Sequence, residues 1–157
     1  MQAPIDALGV AVDDAGICRI RFGGAPPDRA VSPPDEVLER ATDELTRYFA
    51  GEAVTFTVPL SVPGGSPFER AVWRQLYVIP YAEMRTYGQI AAAVGEPDAA
   101  RAVGTACNRN PIPVIIPCHR VVGADGKLVG FGGGLWRKKV LLELEARVRI
   151  EREFGLG

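Results

Sequence analysis

Histidine is the rarest functional group in this chain, with one residue in 157, beside three cysteines, two methionines and two tryptophans. The cysteines, Cys18, Cys107 and Cys118, are odd in number and show no Cys-x-x-Cys spacing, which speaks against a disulfide framework. With one histidine beside them there are too few ligands for a structural zinc site, so no metal is expected. Long apolar runs are missing too. Nothing approaches the roughly 18 residues of a membrane span, and the N-terminus lacks the basic-then-apolar pattern of a secretory signal. A cytoplasmic protein with no membrane partner is the expectation. Neither sign of charge dominates, because 18 basic and 19 acidic residues leave a net charge of −1. That removes any global attraction to nucleic acid, so such binding has to rest on a local basic surface.

What is plentiful is apolar residue, 47% against 24% charged, the balance of a globular chain. The length allows one ordinary domain or a small domain joined to a larger one, and the pattern along the chain points to the second arrangement. Leu8 to Val12 and Ile17 to Phe22 flank the turn signal Asp13-Asp14-Ala15-Gly16, a hairpin. In its second strand Ile17, Arg19 and Arg21 alternate with Cys18, Ile20 and Phe22, and Cys18 reads as packing. Ser32-Pro33-Pro34-Asp35 reads as a helix start, followed by Val37, Leu38, Ala41, Leu45, Tyr48 and Phe49 at helical spacing up to Gly51. Thr55 to Leu60 returns to β character, and nothing in this first part suggests a catalytic group. The run Pro63-Gly64-Gly65-Ser66-Pro67 punctuates a boundary. The fold class expected is therefore α/β in two parts. A small N-terminal sheet-plus-helix domain covers residues 1–62, and a C-terminal helical domain with a winged helix-turn-helix covers residues 66–157.

Within the second part, Phe68, Val72, Trp73, Leu76 and Tyr77 share a helical face that ends before Pro80. A second helix runs from Thr86 to Val94 and a third from Ala99 to Cys107, joined by a tight turn at Gly95, which suggests a helix-turn-helix. The third helix is built almost wholly of small residues, with Arg101 its long side chain; it can approach a nucleic-acid groove, or it can be a packed helix with one solvated arginine. Asp125-Gly126 between β-branched flanks predicts a hairpin wing. Gly132, Gly133 and Gly134 either let a ligand approach the backbone or link flexibly into the last helix.

The chemistry concentrates in residues 110–122. Val114, Ile115 and Ile116 form a short β-branched run, a buried strand or core segment, bracketed by prolines. Pro117 places Cys118 on a rigid bend where the chain leaves the core, with the sole histidine, His119, beside it. A thiol paired with a base is a nucleophile in waiting, although a lone cysteine is also commonly an inert core residue. Neighbours on an extended chain point to opposite faces, so His119 has to reach the thiol through a turn or a bridging water. Glu145 lies on the inward stripe of Leu141 and Leu142 in the last helix and needs a partner there; it is either that histidine's partner or a solvated residue at the stripe's edge.

Pro117-Cys118-His119-Arg120-Val121, with Asn110-Pro111 upstream and Gly133-Gly134-Leu135 and Leu141-Leu142-Glu143-Leu144-Glu145 downstream, resembles the active-site region of the O6-alkylguanine-DNA alkyltransferases, the methylated-DNA–protein-cysteine methyltransferase family. The likeness covers roughly the C-terminal half to two-thirds of the chain, and it implies a supporting, RNase H-like N-terminal domain. It also implies DNA repair. The alkyl group of O6-alkylguanine, or of O4-alkylthymine, is transferred irreversibly to Cys118 of a self-inactivating protein that needs no cofactor. The partner implied is double-stranded DNA bound through its minor groove, by a monomer that can also bind cooperatively. Carried over by position, Glu145 holds His119, His119 takes the proton of Cys118 through a water, and Asn110 supports the bend. Arg101 replaces the flipped nucleotide in the stack, with Tyr87, Gly104 and Arg120 also at the DNA. Tyr87 lines the base pocket, with Val121, Phe131 and Gly132 contacting the guanine; without the resemblance Tyr87 reads equally as a packed aromatic. Phe131 stands where the family often has tyrosine, and Ala82 where it often has glycine. Cys107 reads as packing or a pocket wall. Two rivals are a non-catalytic alkyltransferase-like lesion-binding protein, in which the cysteine is replaced, and a Cys-His hydrolase, which would leave the helix-turn-helix and Arg101 without a purpose.

Overall fold

The N-terminal hairpin forms as its turn signal dictates. Strands β2 (Asp6–Asp13) and β3 (Gly16–Phe22) pair antiparallel, with β1 (Gln2–Ala3) added outside β2. Asp13 closes the turn by accepting the Ala15 and Gly16 amides at 2.8 and 3.1 Å. This computed structural model describes residues 2–3, 6–23, 36–128 and 134–155, with side chains from residue 7 onward. The helix start at residues 32–35 and the pocket positions Phe131 and Gly132 lie outside the described residues. A register shift between Ala11 and Val12 breaks the simple alternation, so that Ile17 is fully buried instead of sharing the solvent face of Arg19.

The segment 55–60 is not a strand, contrary to its composition. Its amides are engaged elsewhere. Thr57 and Val58 donate theirs to the Glu44 carboxylate at 3.1 to 3.3 Å, Pro59 has none to give, and a single bridge from Leu60 to Ile17 is all the sheet pairing left. The bridge requires close approach at Gly16, where a Cβ would stand 2.3 Å from the Pro59 carbonyl oxygen. Helix α1 (Glu36–Phe49) covers the sheet with Ala41, Leu45 and Tyr48, all fully buried.

The second part begins at α2 (Pro67–Tyr77), started by a reciprocal capping box between Ser66 and Glu69. A second box, Thr86 with Gln89, starts α3 (Tyr87–Ala93), and α4 (Ala100–Asn108) follows across a tight turn, giving the expected helix-turn-helix. Trp73 ties α2 to α4 by donating its indole N–H to the Ala106 carbonyl at 2.8 Å. At the wing, Asp125-Gly126 forms the expected tight turn, closed by Gly123 N–H to Lys127 O at 2.8 Å. Just before it, Val121–Val122 (β5), both buried, pairs in parallel with Arg85–Thr86 (β4). The chain closes with α5 (Leu135–Glu153). Among the described residues no helix is long and apolar enough to cross a membrane.

Candidate active site

Residues 111–116 form an irregular buried turn, not a strand, with Val114 forced to a φ of +73°. Asn110 organises it. Its side-chain oxygen accepts the Ile112 amide at 2.9 Å, its Nδ2 donates to the Ile116 carbonyl at 2.7 Å, and it also hydrogen-bonds the Cys118 thiol. A one-turn 3₁₀ helix, Cys118–Arg120, then replaces extended backbone, so that the three side chains no longer alternate between faces. All three are buried.

Glu145, one per cent exposed on α5, is where these side chains converge. Its Oε2 meets His119 Nε2 at 2.6 Å. Arg120 donates to it through two nitrogens at 2.8 and 3.0 Å, the Ala82 amide donates at 3.0 Å, and the Tyr48 hydroxyl at 2.5 Å. Arg120 is thus not at a DNA surface as expected. Its remaining guanidinium nitrogen donates to the Ile79 carbonyl at 2.7 Å, and the group stacks on the Tyr81 ring at 5.5 Å. A cation buried beside a carboxylate is held there by the desolvation cost of leaving it alone.

The carboxylate settles the tautomer of the imidazole. Burial alone would raise the Glu145 carboxyl, but the hydrogen bonds it accepts from His119 and Arg120, together with the Arg120 charge, outweigh this and hold it well below the usual carboxylate range. An ionised carboxylate only accepts, so His119 carries its proton on Nε2 and presents Nδ1 as the acceptor. That Nδ1 is buried and has no hydrogen-bond partner among the described residues. Burial also pushes the imidazole below its ordinary pKa of 6.5, against the pull of Glu145, which leaves it neutral at pH 7. Burial pushes the Cys118 thiol up to about 11, with Asn110 and the Lys138 charge opposing. The resting pair is therefore a protonated thiol and a neutral base.

An open cleft of about 600 Å³ is lined by Thr86, Tyr87, Ala100, Arg101, Gly104 and Asn108, and Tyr87 links it to the pair, its phenol lying within electrostatic reach of Cys118. It unites three residues the sequence placed at DNA: Tyr87, Arg101 and Gly104. Arg101 is exposed, while Val103, Ala106 and Cys107 turn α4's other face into the core, and burial holds the Cys107 thiol up at about 12. Lys138, fully buried, donates to the Val121 carbonyl at 2.6 Å and to the Tyr87 hydroxyl oxygen at 3.3 Å. The sequence reading missed Lys138 and Tyr48 as site residues. Lys138 lies seven positions before Glu145 on the stripe of Leu141 and Leu142, a spacing that could have revealed it. Tyr48 carried no such signal, because its α1 stripe reads as core.

Two family descriptions match the chain: "6-O-methylguanine DNA methyltransferase, ribonuclease-like domain" over residues 1–62, and "6-O-methylguanine DNA methyltransferase, DNA binding domain" over residues 67–147. The chain is 52% identical over 148 residues to the methylated-DNA–protein-cysteine methyltransferase of Mycobacterium bovis, covering 92% of this chain and 89% of that one. To the protein of the same name in Methanosarcina acetivorans it is 45% identical over 150 residues, covering 92% and 94%. The crystal structure of Mycobacterium tuberculosis OGT in complex with DNA superposes with a TM-score of 0.82 at 42% identity, over 94% of this chain and 91% of that one. By both family descriptions and by these relatives, the chain belongs to the 6-O-methylguanine DNA methyltransferase family.

Proposed function

We propose that this protein repairs O6-alkylguanine in double-stranded DNA by moving the alkyl group onto its own Cys118, once per molecule. The observation that carries this reading is a buried, proton-bearing thiol set with a neutral imidazole of fixed tautomer, linked by Tyr87 to a cleft that also holds Arg101. Cys118 Sγ attacks the alkyl carbon bound to guanine O6. The S–C bond forms as the C–O6 bond breaks, and the electron pair stays with the guanine, which takes up a proton. The thiol proton passes through a water to His119 Nδ1, and Glu145 stabilises the resulting imidazolium through Nε2. A thioether has no proton to lose and no easy leaving path, so the molecule is spent.

The reacting carbon is out of reach inside a stacked duplex, so the base has to be flipped out. The small residues Ala100, Ala102 and Gly104 let α4 approach the minor groove, and Arg101 fills the place the base vacates. Lys138 donates to the Tyr87 oxygen, which turns the phenolic hydrogen toward an acceptor elsewhere, such as the flipped purine. The Val121 carbonyl keeps a second lone pair for the guanine amine besides the one Lys138 occupies. By the family resemblance, stacking on the base and donating to O6 are the roles that fall to Phe131 and Gly132, both outside the described residues. Lesion binding without transfer is the weaker reading, because the acceptor Cys118 and its base are both in place.

Intact-mass spectrometry after incubation with a duplex carrying O6-methylguanine tests the proposal. One added methyl per chain, mapped to the Cys118 peptide and absent from Cys118→Ala, is the expected result. An unchanged mass with retained lesion binding would replace transfer by recognition alone.

A further inference from the structure

The carboxylate that orients the catalytic histidine is gripped from the other half of the molecule. Tyr48, on α1 of the N-terminal part, is fully buried and places its hydroxyl 2.5 Å from Glu145 Oε2, the same oxygen that meets His119 Nε2. Burial and the Glu145 charge keep this phenol protonated, and the carboxylate can only accept, so Tyr48 is the donor. Its ring is held between Phe49 at 5.1 Å, Phe56 at 5.8 Å and Tyr81 at 6.0 Å, which leaves the hydroxyl little freedom to turn away. Two further contacts join the halves near the site. The Ile20 amide of β3 donates to the Pro111 carbonyl at 2.9 Å, and Arg137 of α5 stacks on Phe22 at 5.2 Å. These position backbone and helix, whereas among the described residues of the N-terminal part Tyr48 alone hydrogen-bonds the relay.

We propose that Tyr48 is a positioning residue for alkyl transfer, setting the basicity of His119 through their shared Glu145 oxygen and so making Cys118 reactivity depend on the docking of the N-terminal half. The inference rests on the transfer reading given above. Negative charge on Oε2 stabilises the imidazolium, and every donor to that oxygen lowers the share available to His119. Removing the Tyr48 hydroxyl therefore raises the pKa of His119 and keeps the base protonated to higher pH. The groups facing the imidazole are Glu145 and Lys138 from α5, Arg120 from its own turn, and, through Glu145 and Arg120, Tyr48 from α1 and Tyr81 from the segment before β4. Only the Tyr48 hydroxyl is removed in the test, so the others act as constants.

His119 is the sole histidine of the chain, so nitrogen NMR of the untagged protein reads its tautomer and titration without ambiguity. In Tyr48→Phe the imidazole pKa is expected to rise by about half a unit or more, which is at least about threefold in the protonation equilibrium. The acid limb of the single-turnover transfer rate shifts upward with it, at unchanged DNA affinity. Tyr81→Phe is the control, since the Tyr81 hydroxyl makes no hydrogen bond to any described residue, and it should leave the titration where it was. A Tyr48→Phe protein that is folded, with the wild-type imidazole titration and rate profile, would overturn the inference. Whether or not Tyr48→Phe folds, a pKa rise of about half a unit or more in Tyr81→Phe would overturn it as well, because general loosening would then account for the effect. Wild-type protein that fails to transfer at any pH would instead sink the transfer reading, while the NMR titration would still decide the role of Tyr48.

Discussion

Ala82 occupies a conformation better suited to another residue. Its φ of +62° is in the left-handed region, and its amide is committed to Glu145 at 3.0 Å while its carbonyl accepts from Arg149 at 3.3 Å. The left-handed conformation costs an alanine about 1–2 kcal/mol, and glycine relieves this while giving back about half of it in unfolded-chain entropy. Ala82→Gly is therefore expected to raise the thermal midpoint by about 1–3 °C with the transfer rate preserved; calorimetry that shows a lower midpoint would contradict the strain. Alanine in place of the family's frequent glycine leaves the hydrogen bond intact, since any residue's amide supplies it, but it does not leave the backbone energy unchanged. The pairing of His119 with Glu145 was legible because motif and stripe pointed the same way. Arg120 was not, since an arginine next to a catalytic cysteine looks like a DNA contact until the buried carboxylate it neutralises is seen. Tyr48 was hidden for the opposite reason, as its ring satisfies the core pattern and its hydroxyl leaves no trace in it.

Helices were read well where they announce their own starts, as α2 and α3 do with Ser66/Glu69 and Thr86/Gln89. Extended segments were read poorly, because pairing is decided by distant partners. Residues 55–60 lost their amides to Glu44 of α1, and residues 111–116 to the demands of Asn110, neither of which local composition records. Helix α4 shows what composition can record. Its small residues leave Arg101 standing alone on an exposed face, with Thr105 and Asn108 along the same side. A residue acting by insertion into duplex has no part in chemistry on a free base. Arg101→Ala should thus slow transfer from duplex by about tenfold or more, a loss of at least about 1.4 kcal/mol, while reaction with free O6-benzylguanine changes less than twofold. Equal losses on the two substrates would remove Arg101 from the flipping step.

The burial that assembles the site also shapes the stability of the whole chain. His119 is held below 6.5 by burial, so the unfolded chain takes up a proton that the folded one refuses, and stability falls as pH drops below about 6.5. Glu145 adds to the loss below about 4.5, where the unfolded carboxyl protonates but the folded one, held lower, does not. On the alkaline side the buried thiols Cys118 and Cys107, pushed up to about 11 and 12, keep protons that the unfolded chain releases from about 9. The thermal midpoint is expected to be level between about pH 6.5 and 9 and to decline on both sides. A midpoint that still climbs as pH falls below 6 would mean that the imidazole is charged in the folded protein. The two-part architecture was readable from the punctuation at residues 63–67, but the bonds across it were not, since no local pattern says which tyrosine reaches which carboxylate. The protonated thiol has one more consequence. A protein that reacts once must last until its lesion appears, and at pH 7 a thiol that burial has pushed up to about 11 stays almost wholly protonated. Peroxides and other oxidants consume the thiolate, so they find almost nothing to attack. Burial of Cys118 therefore gives each unspent molecule its shelf life.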